Sequence, residues 1–142
     1  MTEIRQPVAG LYTAGQPDPA ELAALARAGV FTIINLRAPG ESMDFDEIDV
    51  ARRLGLRYVA IPVAGEPDVT EDTVRRFSGE LARARNEGGV LVHCASGNRV
   101  GALLALDLGL TQGAPREEAL ALGRAAGLLS LEPAVAAMLD RR

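Results

Sequence analysis

The residues able to do chemistry concentrate in one short stretch, Leu91-Val92-His93-Cys94-Ala95-Ser96-Gly97-Asn98-Arg99-Val100-Gly101. A cysteine ends an apolar run, a turn of small residues follows, and an arginine stands where an Ala/Leu-rich helix begins. Main-chain N–H groups of a tight loop entering a helix N-terminus converge and form a nest for an anion, which favours a thiolate and a bound oxyanion. Gly97 can take the positive φ that lets the loop curl, and Arg99 can fork two N–H donors onto a tetrahedral anion. Nucleophile (Cys94) and clamp (Arg99) thus come from one loop, with Ala95, Ser96, Gly97 and Asn98 as the candidate anion cradle. A lone cysteine is often only a small buried hydrophobe. Its conjunction with Gly97, Arg99 and a following helix points to covalent catalysis. His93 is expected to brace the loop, Ser96 to act as a loop donor or as a plain turn residue. Arg37 could flank the anion site, but a surface ion pair with Glu41 is the favoured reading.

The elements needed to position this loop are legible along the chain. Leu11 to Ala14 alternates like a strand and runs into Gly15-Gln16-Pro17. Asp18 and Pro19 carry the signature of a helix start, with Gly29 at its end. Val30 to Leu36 reads as a strand buried on both faces. Asp46 to Leu54 has acids in its first turn, Arg52 and Arg53 in its last and Gly55 after it, as the helix macrodipole prefers. Leu56 to Val63 is a further strand, and Thr70 caps a long helix with the stripe Val74, Phe77 and Leu81, closed by Gly88-Gly89. Val90 to His93 is a short buried strand followed, after the Cys94 to Asn98 loop, by a helix to about Gln112. Pro115 and Pro133 open two more helices. The expected fold class is α/β: a three-layer sandwich with a mostly parallel four- to five-stranded sheet flanked by helices, forming one catalytic domain over residues 1–142. Ligands in such sheets bind beyond the carboxyl ends of the strands, where His93-Cys94 falls.

Composition narrows the chemistry. Nineteen acidic against fifteen basic side chains leave a net charge of −4, which argues against bulk electrostatic binding to nucleic acid or to anionic membranes. Aromatic residues make up 4% and tryptophan is absent, so stacking platforms for bases are missing. One cysteine and one histidine exclude an intrachain disulfide and a thiolate zinc cage, and no metal or other cofactor is expected. No apolar run is long enough for a spanning helix, and the first residues lack the features of a secretory signal, so the expected location is cytoplasmic.

Val92-His93-Cys94 with Gly97 and Arg99 resembles the cysteine-dependent protein tyrosine and dual-specificity phosphatase superfamily. Leu11-Tyr12-Thr13-Ala14-Gly15-Gln16-Pro17 and Thr32-Ile33-Ile34-Asn35-Leu36-Arg37 look like the opening strands of its small bacterial branch, the beta-lactamase hydrolase-like protein phosphatase-like domains, also described as sulfur transferase/phosphatase. The likeness runs from about Val8 to Gln112. It implies a dual-specificity-phosphatase-like fold, a thiolate nucleophile at Cys94 and an anion clamp at Arg99. Three departures stand out. The phosphatase signature places five residues between cysteine and arginine, and this chain has four, the spacing of rhodanese-type sulfurtransferases. The residue after the arginine is usually Ser or Thr, which helps break down the thiophosphate intermediate, and here it is Val100. The acid expected some thirty residues before the cysteine is replaced by Pro62-Val63-Ala64-Gly65, leaving Glu66, Asp68 and the helix-start Asp72 as the nearest carboxylates. Asp68 is the candidate general acid.

The leading expectation is a phosphatase-like hydrolase acting on a phosphomonoester through a thiophosphate on Cys94. The same parts fit a sulfurtransferase carrying a Cys94 persulfide, and a cradle without turnover would be an anion-binding module. Expected partners are a phosphorylated or sulfane-sulfur small molecule or a phosphoprotein, with no nucleic acid and no membrane. The identity of the substrate and the oligomeric state are not written in the sequence.

Overall fold

Strand propensity and helix caps place the elements as follows in a computed structural model, which describes residues 2–142. Five strands, β1 (Ile4–Val8), β2 (Leu11–Ala14), β3 (Val30–Asn35), β4 (Arg57–Ala60) and β5 (Gly89–His93), form one sheet in the order β1-β2-β5-β3-β4. Strands β2 to β5 run parallel, while β1 pairs antiparallel with β2 at one edge. The edge strand at Ile4–Val8 was not foreseen. It contains Pro7 and the polar pair Arg5 and Gln6, a composition tolerated at an edge because one side of the strand needs no partner. β4 is shorter than the expected Leu56–Val63. Pro62 has no N–H to donate, so regular pairing stops at Ala60, although Ile61 and Val63 still donate to Asn35 and Leu36 at 2.9 Å each.

Among the described residues six α-helices cover the sheet: α1 (Pro19–Arg27), α2 (Glu47–Leu54), α3 (Glu71–Glu87), α4 (Asn98–Leu106), α5 (Arg116–Ala126) and α6 (Glu132–Asp140). Asp18 caps α1 in a reciprocal capping box with Glu21, as the sequence pattern requires. Alternation along the strands divides the core in two. Ile33, Leu91 and Ala14 pack with Leu22, Leu25 and Ala51 under α1 and α2. Ile34, Val90 and Val92 pack on the other face with Phe77, Leu103, Leu104 and Leu120 under α3, α4 and α5. The helix expected to reach Gln112 does so with a final π turn over Asp107–Thr111, in which Gln112 N–H bonds the Asp107 carbonyl five residues back. α4 and α5 approach at Gly101. A Cβ there would stand 2.6 Å from the Gly123 carbonyl and nearer still to the Leu128 main chain, so the absence of a side chain sets the close approach. Among the described residues no helix is long and apolar enough to cross a membrane.

Candidate active site

β5 ends at His93 in the middle of the sheet and α4 begins at Asn98, so residues 94–97 form the strand-to-helix turn at the carboxyl edge. Gly97 is the N-cap of α4 with φ +95°, a conformation that a side chain would strain. This turns the Gly97 N–H back onto the Cys94 sulfur at 3.0 Å. Cys94 is fully buried and is the chain's sole thiol. Among the described residues the Ser96, Asn98 and Arg99 main-chain N–H groups have no hydrogen-bond acceptor, which leaves donors at the positive end of α4 for a bound anion. Gly15, just past β2, packs against the turn so closely that a Cβ would collide with the Ala95 carbonyl.

Arg99 is held from two sides. Its Nη1 donates to Glu41 Oε2 at 2.7 Å and to the Val63 carbonyl at 2.7 Å, and its Nη2 donates to Glu41 Oε1 at 2.9 Å. Those three bonds consume the end of the guanidinium and its outer Nη1 proton. The Nε–H and the second Nη2–H remain, side by side on one edge, as a fork for an oxyanion. The Glu41 hydrogen bond, together with nearby Cys94, raises the Arg99 pKa against the opposing cost of burial. Reciprocally, the Arg99 hydrogen bond lowers the Glu41 carboxyl from 4.5 to about 2.

A second chain of contacts braces the turn. His93 is fully buried, with Nε2 2.6 Å from Glu47 Oε2 and Nδ1 3.3 Å from the Cys94 carbonyl. Glu47 Oε1 accepts from Gln16 at 2.7 Å, and Gln16 Oε1 accepts from Arg37 Nη1 at 2.9 Å. Arg37 also donates to the Ser42 carbonyl and approaches Glu41 through Nε at 3.4 Å. The Arg37–Glu41 pair is therefore present, but Arg37 is only 10% exposed, so it belongs to the interior of this network and not to a solvated face. Glu47 reads in sequence as an ordinary first-turn acid and is instead 4% exposed beneath the loop.

The remaining sequence candidates fall in different places. Ala95 and Ser96 are exposed at the tip of the turn. The Asn98 side chain points away from the cradle, donating to Ser130 Oγ at 2.8 Å and accepting from Leu129 and Leu131 N–H, so only its main chain faces the anion nest. Asp68 ends a turn of 3₁₀ helix (Glu66–Asp68), and its carboxylate accepts the Ala64 N–H at 2.7 Å. Ala64 directly follows Val63, whose carbonyl Arg99 holds, so the Asp68 loop is anchored to the clamp. Val100 is fully buried in the same apolar cluster as Cys94. Among the described residues there is no group of three His, Cys, Asp or Glu side chains able to hold a metal. Sequence reasoning missed Glu41 as the Arg99 partner and Gln16 and Glu47 as the support of His93. Separations of 58 and 46 residues leave no local pattern for either ion pair.

The family model described as beta-lactamase hydrolase-like protein, phosphatase-like domain, matches residues 3–111. A curated beta-lactamase hydrolase-like protein of Xylella fastidiosa is 41% identical over 121 residues, covering 82% of this chain and 27% of the relative. The chain thus spans about a quarter of the length of that relative. Among solved structures, a putative phosphatase of Neisseria meningitidis superposes with a TM-score of 0.79 at 27% identity, over 97% of this chain and 96% of that one. TpbA of P. aeruginosa in complex with pTyr superposes with a TM-score of 0.71 at 23% identity, over 94% of this chain and 79% of that one, a likeness of fold.

Proposed function

Because the chain belongs to the beta-lactamase hydrolase-like protein, phosphatase-like domain family, we propose that it hydrolyses phosphomonoesters with Cys94 as the nucleophile, as one catalytic domain. The observation that carries this reading is the Arg99 fork: Glu41 and Val63 occupy three of its N–H groups and leave two parallel donors beside the sulfur that Gly97 N–H holds. A tetrahedral dianion is the ligand such a fork and nest complement. The Cys94 thiolate attacks phosphorus, the S–P bond forms as the ester O–P bond breaks, and the departing oxygen takes a proton from Asp68. Water then attacks the thiophosphate, Asp68 recovers the proton, and inorganic phosphate leaves with Cys94 free. Glu41 is unsuited to the acid role because a carboxyl held at about 2 carries no proton at neutral pH. Phosphate esters of small molecules or of proteins are the substrate class, and the pTyr in the TpbA complex supports an aryl ester as the first probe. The test is turnover of phenyl phosphate by the native chain and by Cys94→Ser; equal turnover in both would refute the mechanism.

One observation favours a second reading. Only four residues separate Cys94 from Arg99, a spacing that suits a persulfide as the occupant of the loop. Sulfur transfer has no leaving oxygen to protonate, so under this reading Asp68→Asn leaves turnover unchanged.

A further inference from the structure

Two loops that touch the catalytic turn continue, one residue later, into the walls of the same cavity. Gly15 packs on Ala95, and Gln16, Pro17, Asp18 and Pro19 follow it into one wall. Glu41 holds Arg99, and Ser42, Met43, Asp44 and Phe45 follow it into the other. The cavity measures about 460 Å³, and Arg37, which approaches Glu41 at 3.4 Å, is part of its lining. Through these two loops the cavity adjoins the Cys94 turn.

The lining states what kind of group fits. Pro17, Pro19, Met43 and Phe45 give apolar surface. Arg37 brings the wall's one positive charge: its Nε is buried 3.4 Å from Glu41 without a hydrogen bond, and one proton each of Nη1 and Nη2 goes to Gln16 and to the Ser42 carbonyl. Two acids stand against it. Asp44 is exposed with no hydrogen-bond or ion-pair partner among the described residues, and Asp18 uses only Oδ1, to cap α1. The wall is thus apolar with a surplus of negative charge, next to a cradle built for an anion. We infer that this cavity is the subsite for the organic arm of the substrate, that it selects phosphomonoesters whose arm joins an apolar body to a positive charge, and that Asp44 sets this preference. Esters with a second anionic group on the arm are disfavoured by the same carboxylates. The inference rests on the phosphomonoester reading for its cradle and goes beyond it in naming the arm.

The experiment separates the two. Dissociation constants of 4-(aminomethyl)phenyl phosphate and 4-carboxyphenyl phosphate are measured on Cys94→Ser, which removes turnover, and again with Asp44→Asn added. The cationic ester is expected to bind about fivefold more tightly than the anionic one, a ratio that falls to about twofold with Asp44→Asn, in line with single partly exposed charge contacts. Glu118→Gln on α5 serves as the control for net charge and is expected to leave the ratio in place. A ratio near one, a ratio indifferent to Asp44→Asn, or an equal fall in the Glu118→Gln control would overturn the inference. Hydrolysis of phenyl phosphate by the native chain is read separately. Its absence alongside the predicted binding ratios would remove the hydrolytic reading and leave the subsite standing.

Discussion

Replacing Glu41 with glutamine removes the carboxylate that grips the end of Arg99 while keeping the length of the side chain and one acceptor oxygen. A carboxyl held at about 2 instead of 4.5 corresponds at face value to about 3 kcal/mol of folding stability. The Glu41 side chain is 27% exposed, so screening reduces the contribution to about 1 kcal/mol. For a chain of this length that is a fall of about 3 °C in Tm. The sign follows from linkage. The folded-state pKa is depressed, so the stabilisation is fully present above the unfolded value near 4.5 and disappears as pH falls through about 2. At pH 3 the difference between native chain and variant should have shrunk to about 0.4 kcal/mol. Catalysis should respond differently from binding. With Glu41 neutralised, Arg99 carries more uncompensated charge and binds inorganic phosphate more tightly, yet its fork is no longer aimed, so kcat falls between about tenfold and a hundredfold. Urea titrations from pH 7 to pH 3 and phosphate inhibition constants check both halves. A stability difference that does not shrink with acid, or weaker phosphate binding in the variant, would refute the reasoning.

Three further outcomes are expected. Asp68→Asn keeps an acceptor for the Ala64 N–H, so the loop should fold, and turnover of phenyl phosphate should drop by about a hundredfold while that of dinitrophenyl phosphate, whose leaving group needs no proton, changes little. Val100→Thr adds a hydroxyl to the apolar cluster that holds Cys94 and should shrink the pre-steady-state burst of the native chain by speeding thiophosphate breakdown, at a stability cost of about 1 kcal/mol for burying the hydroxyl; stopped-flow release of nitrophenol reads this directly. Gly101→Ala drives a Cβ into the Gly123 and Leu128 main chain of the α5 region and should cost about 3 kcal/mol, or about 10 °C in a thermal melt, whereas Gly113→Ala meets no atom and loses only what its φ of +76° costs.

Local signals carried most of the fold. The Asp18 cap, the glycine at 55 and the apolar run Val30 to Leu36 each act within a few residues, and the corresponding helices and strand stand where those signals put them. The edge strand at Ile4–Val8 escaped because an edge needs only half the pattern of a central strand and admits Pro7. The catalytic turn was legible for the same local reason, since Cys94, Gly97 and Arg99 lie within six consecutive residues. Its supports were not. Glu41 and Glu47 look in sequence like solvated acids, one in a loop and one in a helix first turn, and only folding brings them to Arg99 and His93. Nor does any local pattern mark the bonds of the Asn98 side chain to Ser130 Oγ and the Leu129 N–H, more than thirty residues further along the chain.

The most direct measurement is the intact mass of the protein after brief exposure, in parallel, to an aryl phosphate and to thiosulfate, with Cys94→Ser as control. Phosphate transfer to Cys94 predicts a gain of about 80 Da with the aryl phosphate only, absent from Cys94→Ser. A Cys94-dependent gain of about 32 Da with thiosulfate, and none with the phosphate, would contradict it and make the loop a persulfide carrier.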